Sequence, residues 1–253
     1  MNSAGNLPLS AAFQGRVALV TGGGRGIGAA TAELLLERGA RVLFCARTGS
    51  EVGSTEKRLA ERFGTANVVG RVADLADPAV FPSLFDEAER RFGAPVRVLV
   101  NNAAIGYAIP FLETSPAKLR EEWDRMAAIN IRAPLLLAHE FLRRFPRGDR
   151  EGGAIVSLAS LGGVAGTEKF PGLTPYVATK FAVIGLTEAI AVEARPLGVR
   201  VNAVAPGAVD TEMLRKAAPH LRTETRPADV AKTIVDLCAR DVTGTVVEIH
   251  SNL

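Results

Sequence analysis

The sequence predicts an α/β protein built on one doubly wound, mostly parallel sheet, and three observations lead there. Seven short apolar runs are spread along the chain, with amphipathic stretches between them. Those runs are apolar throughout rather than alternating, as expected of strands covered on both faces. A glycine-rich turn, Thr21-Gly22-Gly23-Gly24-Arg25-Gly26-Ile27-Gly28, follows the first run and precedes a helical pattern. Strand, tight turn and helix in that order begin a parallel βαβ unit.

Val17–Val20 is the first strand; Ile27, Ala30, Leu34 and Leu35 then recur at helical spacing before Gly39. Val42–Ala46 and Val68–Ala73 are the next two strands. Phe81, Leu84, Phe85, Ala88 and Phe92 share one helical face and stop at Gly93, a C-terminal cap. Val96–Asn101, Ala154–Ser160, Val199–Val204 and Val246–Ile249 complete the strands. No linker, repeat or low-complexity block divides the chain. Residues 1–13 therefore read as an N-terminal extension and 14–253 as a single domain, with 211–226 a short covering segment.

At 253 residues and 47% hydrophobic content, the chain can bury a large core. A net charge of only +3, with acids and bases mixed, argues against a nucleic-acid partner. The N-terminus lacks a basic stretch followed by an apolar one, so no signal peptide is expected. No run reaches the ~18 apolar residues of a membrane span. Cys45 and Cys238 stand alone in apolar segments and read as reduced core residues of a cytoplasmic protein. The three histidines have no ligand spacing, so no metal site is expected.

The glycine-rich turn is where the chemistry starts. Gly22, Gly26 and Gly28 let the backbone turn sharply and approach a pyrophosphate, which the amides of the next helix, around Ile27, would then face. A site selective for NAD would place an acid near the end of the second strand, to bond the ribose 2′-hydroxyl. None occurs between Arg41 and Ser50; Arg47 and Thr48 occupy that turn, and Arg25 sits inside the glycine loop. Each arginine alone could be merely solvated, but together they point to the 2′-phosphate of NADP(H). Asp74-Leu75 ends the third strand, where the carboxylate either accepts from an adenine amino group or caps the following helix. In Asn101-Asn102-Ala103-Ala104, small residues let the chain pass close to a bound dinucleotide.

Downstream lies Tyr176-Val177-Ala178-Thr179-Lys180. Residues four apart on a helix share a face, so an ammonium can lie beside a phenol. Lowering a phenol pKa from ~10 to about 7 takes roughly 4 kcal/mol, which one cation about 4 Å away supplies at an effective dielectric near 20. The pair is thus a candidate acid/base.

These motifs occur in a fixed order: Thr-Gly-x-x-x-Gly-x-Gly, Asn-Asn-Ala-Ala, an Asn on a mid-chain helix, a strand-ending Ser, Tyr-x-x-x-Lys and Pro-Gly. The order resembles the short-chain dehydrogenase/reductase superfamily, in its single-domain branch of roughly 250 residues with a Rossmann-like fold, from about Gln14 to Ile249. The resemblance implies an active site of Asn130, Ser160, Tyr176 and Lys180. Tyr176 would exchange the proton of the reacting oxygen, and Ser160 would hydrogen-bond that oxygen. Lys180 would lower the Tyr176 pKa and hold the nicotinamide ribose, while Asn130 would anchor a water linking Lys180 to solvent. Pro206, Gly207, Val209 and Thr211 would fix the nicotinamide amide. Ser160 and Tyr176 are 16 residues apart, a few more than is usual, and the tail Glu248-Ile249-His250-Ser251 replaces the family's Asp-Gly-Gly. Ser157 competes for the serine role, but Ser160 is nearer the carboxyl end of its strand, where ligands bind.

The activity implied is NADP(H)-dependent interconversion of a carbonyl and an alcohol. One alternative is a 3-oxoacyl reductase whose Arg143, Arg144, Arg147 and Arg150 dock an acidic carrier; another, of a different class, is an NADP(H)-binding sensor without turnover. The expected pocket walls are 105–111, 161–175 and 212–221. They carry Tyr107, Phe111, Phe170, Met213 and Leu214, which suit a hydrophobic carbonyl compound better than a sugar. Pro171, Gly172 and Pro175 suggest a hinged lid. Arg215, Lys216, His220 and Arg222 either attract an anionic group of the substrate or form a solvated face. A homotetramer, or a dimer, is implied by the family and by apolar residues on several faces of helices 134–145 and 176–195.

Overall fold

Strand and helix alternate along the chain: β1 (Val17–Thr21), α1 (Gly26–Glu37), β2 (Arg41–Ala46), α2 (Gly49–Phe63), β3 (Val68–Val72), α3 (Val80–Phe92), β4 (Val96–Asn101), α4 (Pro116–Ala127), α5 (Ala133–Arg144), β5 (Gly153–Leu158), α6 (Thr174–Ala194), β6 (Val199–Pro206), α7 (Glu212–Ala217), α8 (Pro227–Ala239) and β7 (Val246–Ile249). This is a computed structural model, and it describes residues 13–148, 151–217 and 221–251. Arg150, His220, the last two residues and the extension up to residue 12 lie outside the described residues. Phe13, read from sequence as part of that extension, is instead buried in the core.

All strand pairs are parallel, in the order β3-β2-β1-β4-β5-β6-β7. The expected doubly wound sheet is therefore present. Alternate residues of β1 serve opposite faces: Ala18 and Val20 meet α1, α2 and α8 through Leu35, Leu59 and Val235, whereas Val17 and Leu19 join Phe85 of α3 and Phe141 of α5. Burial on both faces explains why the strands read as unbroken apolar runs. Because β2 and β4 flank β1, the chain winds outward in both directions from that strand, and a crevice opens between the carboxyl ends of β1 and β4.

Local chemistry sets the helix ends. The Ser115 hydroxyl accepts from the Lys118 amide at 3.3 Å and Pro116 follows, which starts α4. At α8 the Asp229 carboxylate accepts from the Arg226 amide at 2.8 Å. Gly93 closes α3 with φ 68°, the left-handed cap its position predicts. Between α4 and α5 the backbone widens into a π turn, Ala128–Arg132, with Asn130 at its centre. Pro134 has no N–H for the carbonyl of Asn130 four residues back, so the α-helical ladder is interrupted here.

One boundary differs in a way that matters for the site. The fifth strand ends at Leu158 rather than Ser160. Ser160 instead caps a short 3-10 turn, Leu161–Gly163, its hydroxyl accepting from the Gly162 amide at 3.2 Å. The turn lifts Ser160 out of the sheet.

Candidate active site

A cleft of about 1330 Å³ runs over the carboxyl ends of β1, β2, β4, β5 and β6. Its phosphate end is built from glycine. Gly22 and Gly26 have φ of 66° and 58°, in the left-handed region that favours glycine. Gly28 does not line the cleft; a Cβ there would lie 2.2 Å from the Gly22 carbonyl oxygen and 2.4 Å from the Asn102 amide nitrogen. Helix and strand can thus approach only because residue 28 lacks a side chain. Gly22, Gly26 and Ile27 line the cleft, and α1 opens without a side-chain cap or an acid in its first turn. That leaves its first amides for an anion, as a dinucleotide diphosphate requires. The donor set fits the cofactor.

Under this turn the floor is cross-bonded. The buried Thr21 hydroxyl accepts from the amides of Asn102 and Ala103 at 3.0 and 3.1 Å, and the Asn102 amide group donates to the carbonyls of Thr21 and Gly22 at 2.9 and 3.1 Å. Six atoms at the carboxyl ends of β1 and β4 are thereby fixed where the winding reverses. Sequence reading assigned Asn102, Ala103 and Ala104 to the cofactor and missed Thr21, although a buried hydroxyl at a strand end needs partners.

Arg47, Thr48, Asp74 and Leu75, expected around the adenosine, all line the cleft. Arg47 is exposed and, among the described residues, makes no ion pair. Arg25 departs from expectation. Its guanidinium is bound by Glu51 of α2 at 3.3 Å and by Glu212 of α7, so its charge is already matched. Asp74 accepts from the Ala76 amide at 3.0 Å in an Asx turn; it does not cap α3, whose preceding residue is Ala79.

Ser160, Tyr176 and Lys180 meet in the middle of the cleft. Burial holds the Tyr176 pKa above its usual value, and the neighbouring Ser160 hydroxyl opposes this by favouring the phenolate. Lys180 is fully buried. Its ammonium donates to the Leu158 carbonyl at 2.7 Å and sits 5.5 Å from the Tyr176 ring centroid. Burial pushes its own pKa down to about 7. The drop of the phenol toward 7 expected from charge alone is therefore absent: desolvation works against the charged form of both groups. Ser157, the competitor, is buried in the sheet, 3.5 Å from the Asn101 side chain.

Asn130 lies behind the cleft, not in its wall. Its side chain accepts from the Ile105 amide at 2.9 Å and donates to the Ile105 carbonyl at 2.8 Å and the Thr179 hydroxyl at 3.1 Å. Thr179 in turn donates to the Tyr176 carbonyl at 2.7 Å. Asn130 thus ties the segment after β4 to the helix carrying Tyr176.

Pro206, Gly207, Val209 and Thr211 line the opposite wall. The tail braces them: the Gly207 amide donates to the Ile249 carbonyl at 2.9 Å and the Ala208 amide to the Ser251 hydroxyl at 3.2 Å. A serine thus supplies backbone contacts where Asp-Gly-Gly is missing.

Several expected wall residues are elsewhere. Tyr107 turns away to donate to Glu122 of α4, and Phe111 is half-exposed outside the cleft. Phe170, Met213 and Leu214 do line it. Arg215 and Lys216 are paired with Asp210 and Glu212 at 2.9 and 2.5 Å, so they do not offer unmatched charge to a substrate. Gly172, the expected hinge, is tied to the segment after β4: its carbonyl accepts from the Ile109 amide at 2.8 Å, and the Thr167 hydroxyl donates to the Val164 carbonyl at 3.0 Å. Arg143 and Arg144, expected to dock a carrier, are bound to Glu140 at 2.8 and 2.5 Å, and Arg144 also to Asp86 at 2.6 Å. Both cysteines are buried, with pKa values pushed up to about 12 by desolvation, which keeps them unreactive. Among the described residues no cluster of three potential metal ligands occurs, and no helix is long and apolar enough to cross a membrane.

Comparison with known proteins agrees with this geometry. The short chain dehydrogenase family matches residues 16–222. The chain belongs to the short-chain dehydrogenase/reductase family. It is 35% identical to Protein FixR of Bradyrhizobium diazoefficiens, over 93% of this chain and 85% of that protein. It is 38% identical to NADPH-dependent aldehyde reductase 2, chloroplastic, of Arabidopsis thaliana, over 79% and 74%. Among solved structures, 3-ketoacyl-(acyl-carrier-protein) reductase from Brucella melitensis complexed with NADH superimposes with a TM-score of 0.81 at 29% identity, covering 94% and 97% of the two chains. This short-chain dehydrogenase/reductase is accordingly an oxidoreductase of CH–OH and C=O groups, and its family uses nicotinamide dinucleotides.

Proposed function

We propose that the protein reduces an apolar ketone or aldehyde with NADPH, or runs the reverse oxidation. The meeting of Ser160 and Tyr176 inside the cleft, with Lys180 one turn along α6, carries this reading. When bound, the nicotinamide supplies or takes up the hydride. Ser160 and Tyr176 together hold the substrate oxygen; Tyr176 gives it a proton in reduction and removes one in oxidation. Lys180, buried with one carbonyl partner, stabilises negative charge on the phenol and reaches the nicotinamide ribose. Asn130 positions the turn behind them. Gly22, Gly26 and Ile27 receive the diphosphate, Asp74 and Leu75 the adenine, and Pro206, Gly207, Val209 and Thr211 the nicotinamide amide.

The preference for NADP(H) rests on the absence of an acid at the end of β2 and on Arg47, whose charge is uncommitted. Arg25 contributes only if it gives up a carboxylate partner. A likeness to an NADPH-dependent relative favours the same choice, whereas the similar structure holding NADH leaves both cofactors open to test. Phe170, Met213 and Leu214 favour an apolar substrate.

A cytoplasmic homotetramer is the accompanying proposal. It is supported by Phe181 and Val192 on α6 and Leu135 on α5, which are 40, 65 and 39% exposed. Leu137, Phe141 and Val183 are already buried within one chain and do not count toward an interface. The test is a panel of ketones, aldehydes and 3-oxoacyl thioesters with NADPH and with NADH. Turnover of apolar carbonyls, faster with NADPH and lost in Tyr176→Phe, is expected. Tight NADPH binding without any turnover would instead favour a sensor.

A further inference from the structure

We infer that Gly106 is a positioning residue of this site: its missing side chain forms the seat for the Tyr176 ring. A Cβ at residue 106 would lie 2.7 Å from both Cδ2 and Cε2 of Tyr176, and 3.5 Å from Cγ. Carbon atoms rest about 3.5–4.0 Å apart, so one of the two must move by nearly 1 Å. The backbone is no obstacle to a larger residue, since Gly106 is absent from the positive-φ glycines. Only the ring excludes a side chain.

Neither partner can yield cheaply. Ile105, the preceding residue, is held through both its backbone groups by Asn130. On the other side the turn of α6 is clamped: a Cβ on Gly163 would lie 2.5 Å from the Lys180 carbonyl carbon, and Thr179 bonds the Tyr176 carbonyl at 2.7 Å. The Lys180 ammonium also lies 5.5 Å from the ring centroid. A methyl at 106 therefore displaces the ring, which carries the phenol away from Ser160. No motif points to this glycine, which follows Ile105 at the end of the run Ala103-Ala104-Ile105-Gly106.

The inference rests on Tyr176 as the acid/base, so its test separates the two. The chain has two tyrosines, and Tyr107 faces Glu122 away from the cleft, so Tyr107→Phe leaves Tyr176 as the sole tyrosine. In that background, full-length protein labelled with carbon-13 at the tyrosine Cζ is prepared with glycine and with alanine at 106. Gly106→Ala should shift the Tyr176 resonance toward that of Ser160→Ala, the reference for a phenol without its serine neighbour. It should also lower kcat by about 10²-fold, the usual effect of misplacing a reacting group by 1 Å, with the Kd for NADPH unchanged. Gly185→Ala, on the same helix with open space around it, should change neither. An unmoved resonance with wild-type kcat would overturn the inference, as would losses matched in Gly185→Ala. If Gly106→Ala does not fold, adding Tyr176→Ala should restore folding by removing the ring, and failure to do so also overturns it. An active Tyr176→Phe would sink the reading of Tyr176, while the resonance would still report on the seat.

Discussion

Removing the Asn130 side chain tests how the site is held together, because its amide makes three hydrogen bonds and lines no cleft. In Asn130→Ala the amide and carbonyl of Ile105 both lose their partner, whereas Thr179 keeps its bond to the Tyr176 carbonyl. A buried backbone group left unsatisfied costs about 1–3 kcal/mol. Ile105 is part-exposed, so the lower half of that range applies to each group. For the two groups together the sum is roughly 2–4 kcal/mol. Urea unfolding at fixed protein concentration should show the midpoint falling with the slope unchanged. Turnover should fall as well, since the chain on both sides of Tyr176 loosens, while NADPH binding stays near wild type because the cofactor floor hangs on Thr21 and Asn102. A loss of less than about 1 kcal/mol would refute the bracing argument, the amide then being no more than an ordinary net hydrogen bond.

Other perturbations address separate parts of the site. Tyr176→Phe should cost about 10²–10⁴-fold in kcat, the usual worth of a positioned acid/base, and leave NADPH titrations unchanged. Arg47→Ala should reduce kcat/KM with NADPH far more than with NADH; an equal loss would remove Arg47 from the 2′-phosphate site. Lys180 has a folded pKa of about 7 against 10.5 ordinarily, so between those values the unfolded chain binds more protons and stability rises with pH. Urea midpoints should therefore climb across that window by more in wild type than in Lys180→Met, and parallel curves would contradict the lowered pKa of the buried Lys180. Thr21→Val should destabilise by roughly 2–4 kcal/mol, since the Asn102 and Ala103 amides lose their acceptor, read by the same unfolding assay.

The layout of the fold was legible because its signals are local or periodic. Strands buried on both faces must be apolar throughout, and a helix on a sheet must repeat every three or four residues, so both can be read without knowing what they touch. Gly93 was readable for the same reason: a left-handed cap needs glycine whatever lies nearby. The end of β5 was not, because Ser160 leaves the sheet to cap a turn that exists only once Gly163 packs on Lys180. Charge was the least legible property. Arg25, Arg143, Arg144, Arg215 and Lys216 all looked available in sequence, and all are matched by acids, Arg25 by one 187 residues away. Side-chain direction was lost too, as Tyr107 shows by turning from the cleft to α4.

These failures share a cause that also explains how the site is divided. Its floor is fixed by short-range backbone chemistry: Thr21 with Asn102, Gly28 against Gly22, and Asn130 on Ile105. Such contacts need particular residue types, so motifs point to most of these positions, Thr21 excepted. The far wall is held differently, by ion pairs of Arg25 with Glu212 and Arg215 with Asp210, and by the Ser251 contact to Ala208. Exposed ion pairs are weak and exchangeable. An anion brought to the arginine of the glycine loop would have to compete with Glu212, the first residue of α7, which already holds that guanidinium. The rigid half can therefore aim the reacting atoms, while the half that is hard to read from sequence is the one free to differ between substrates.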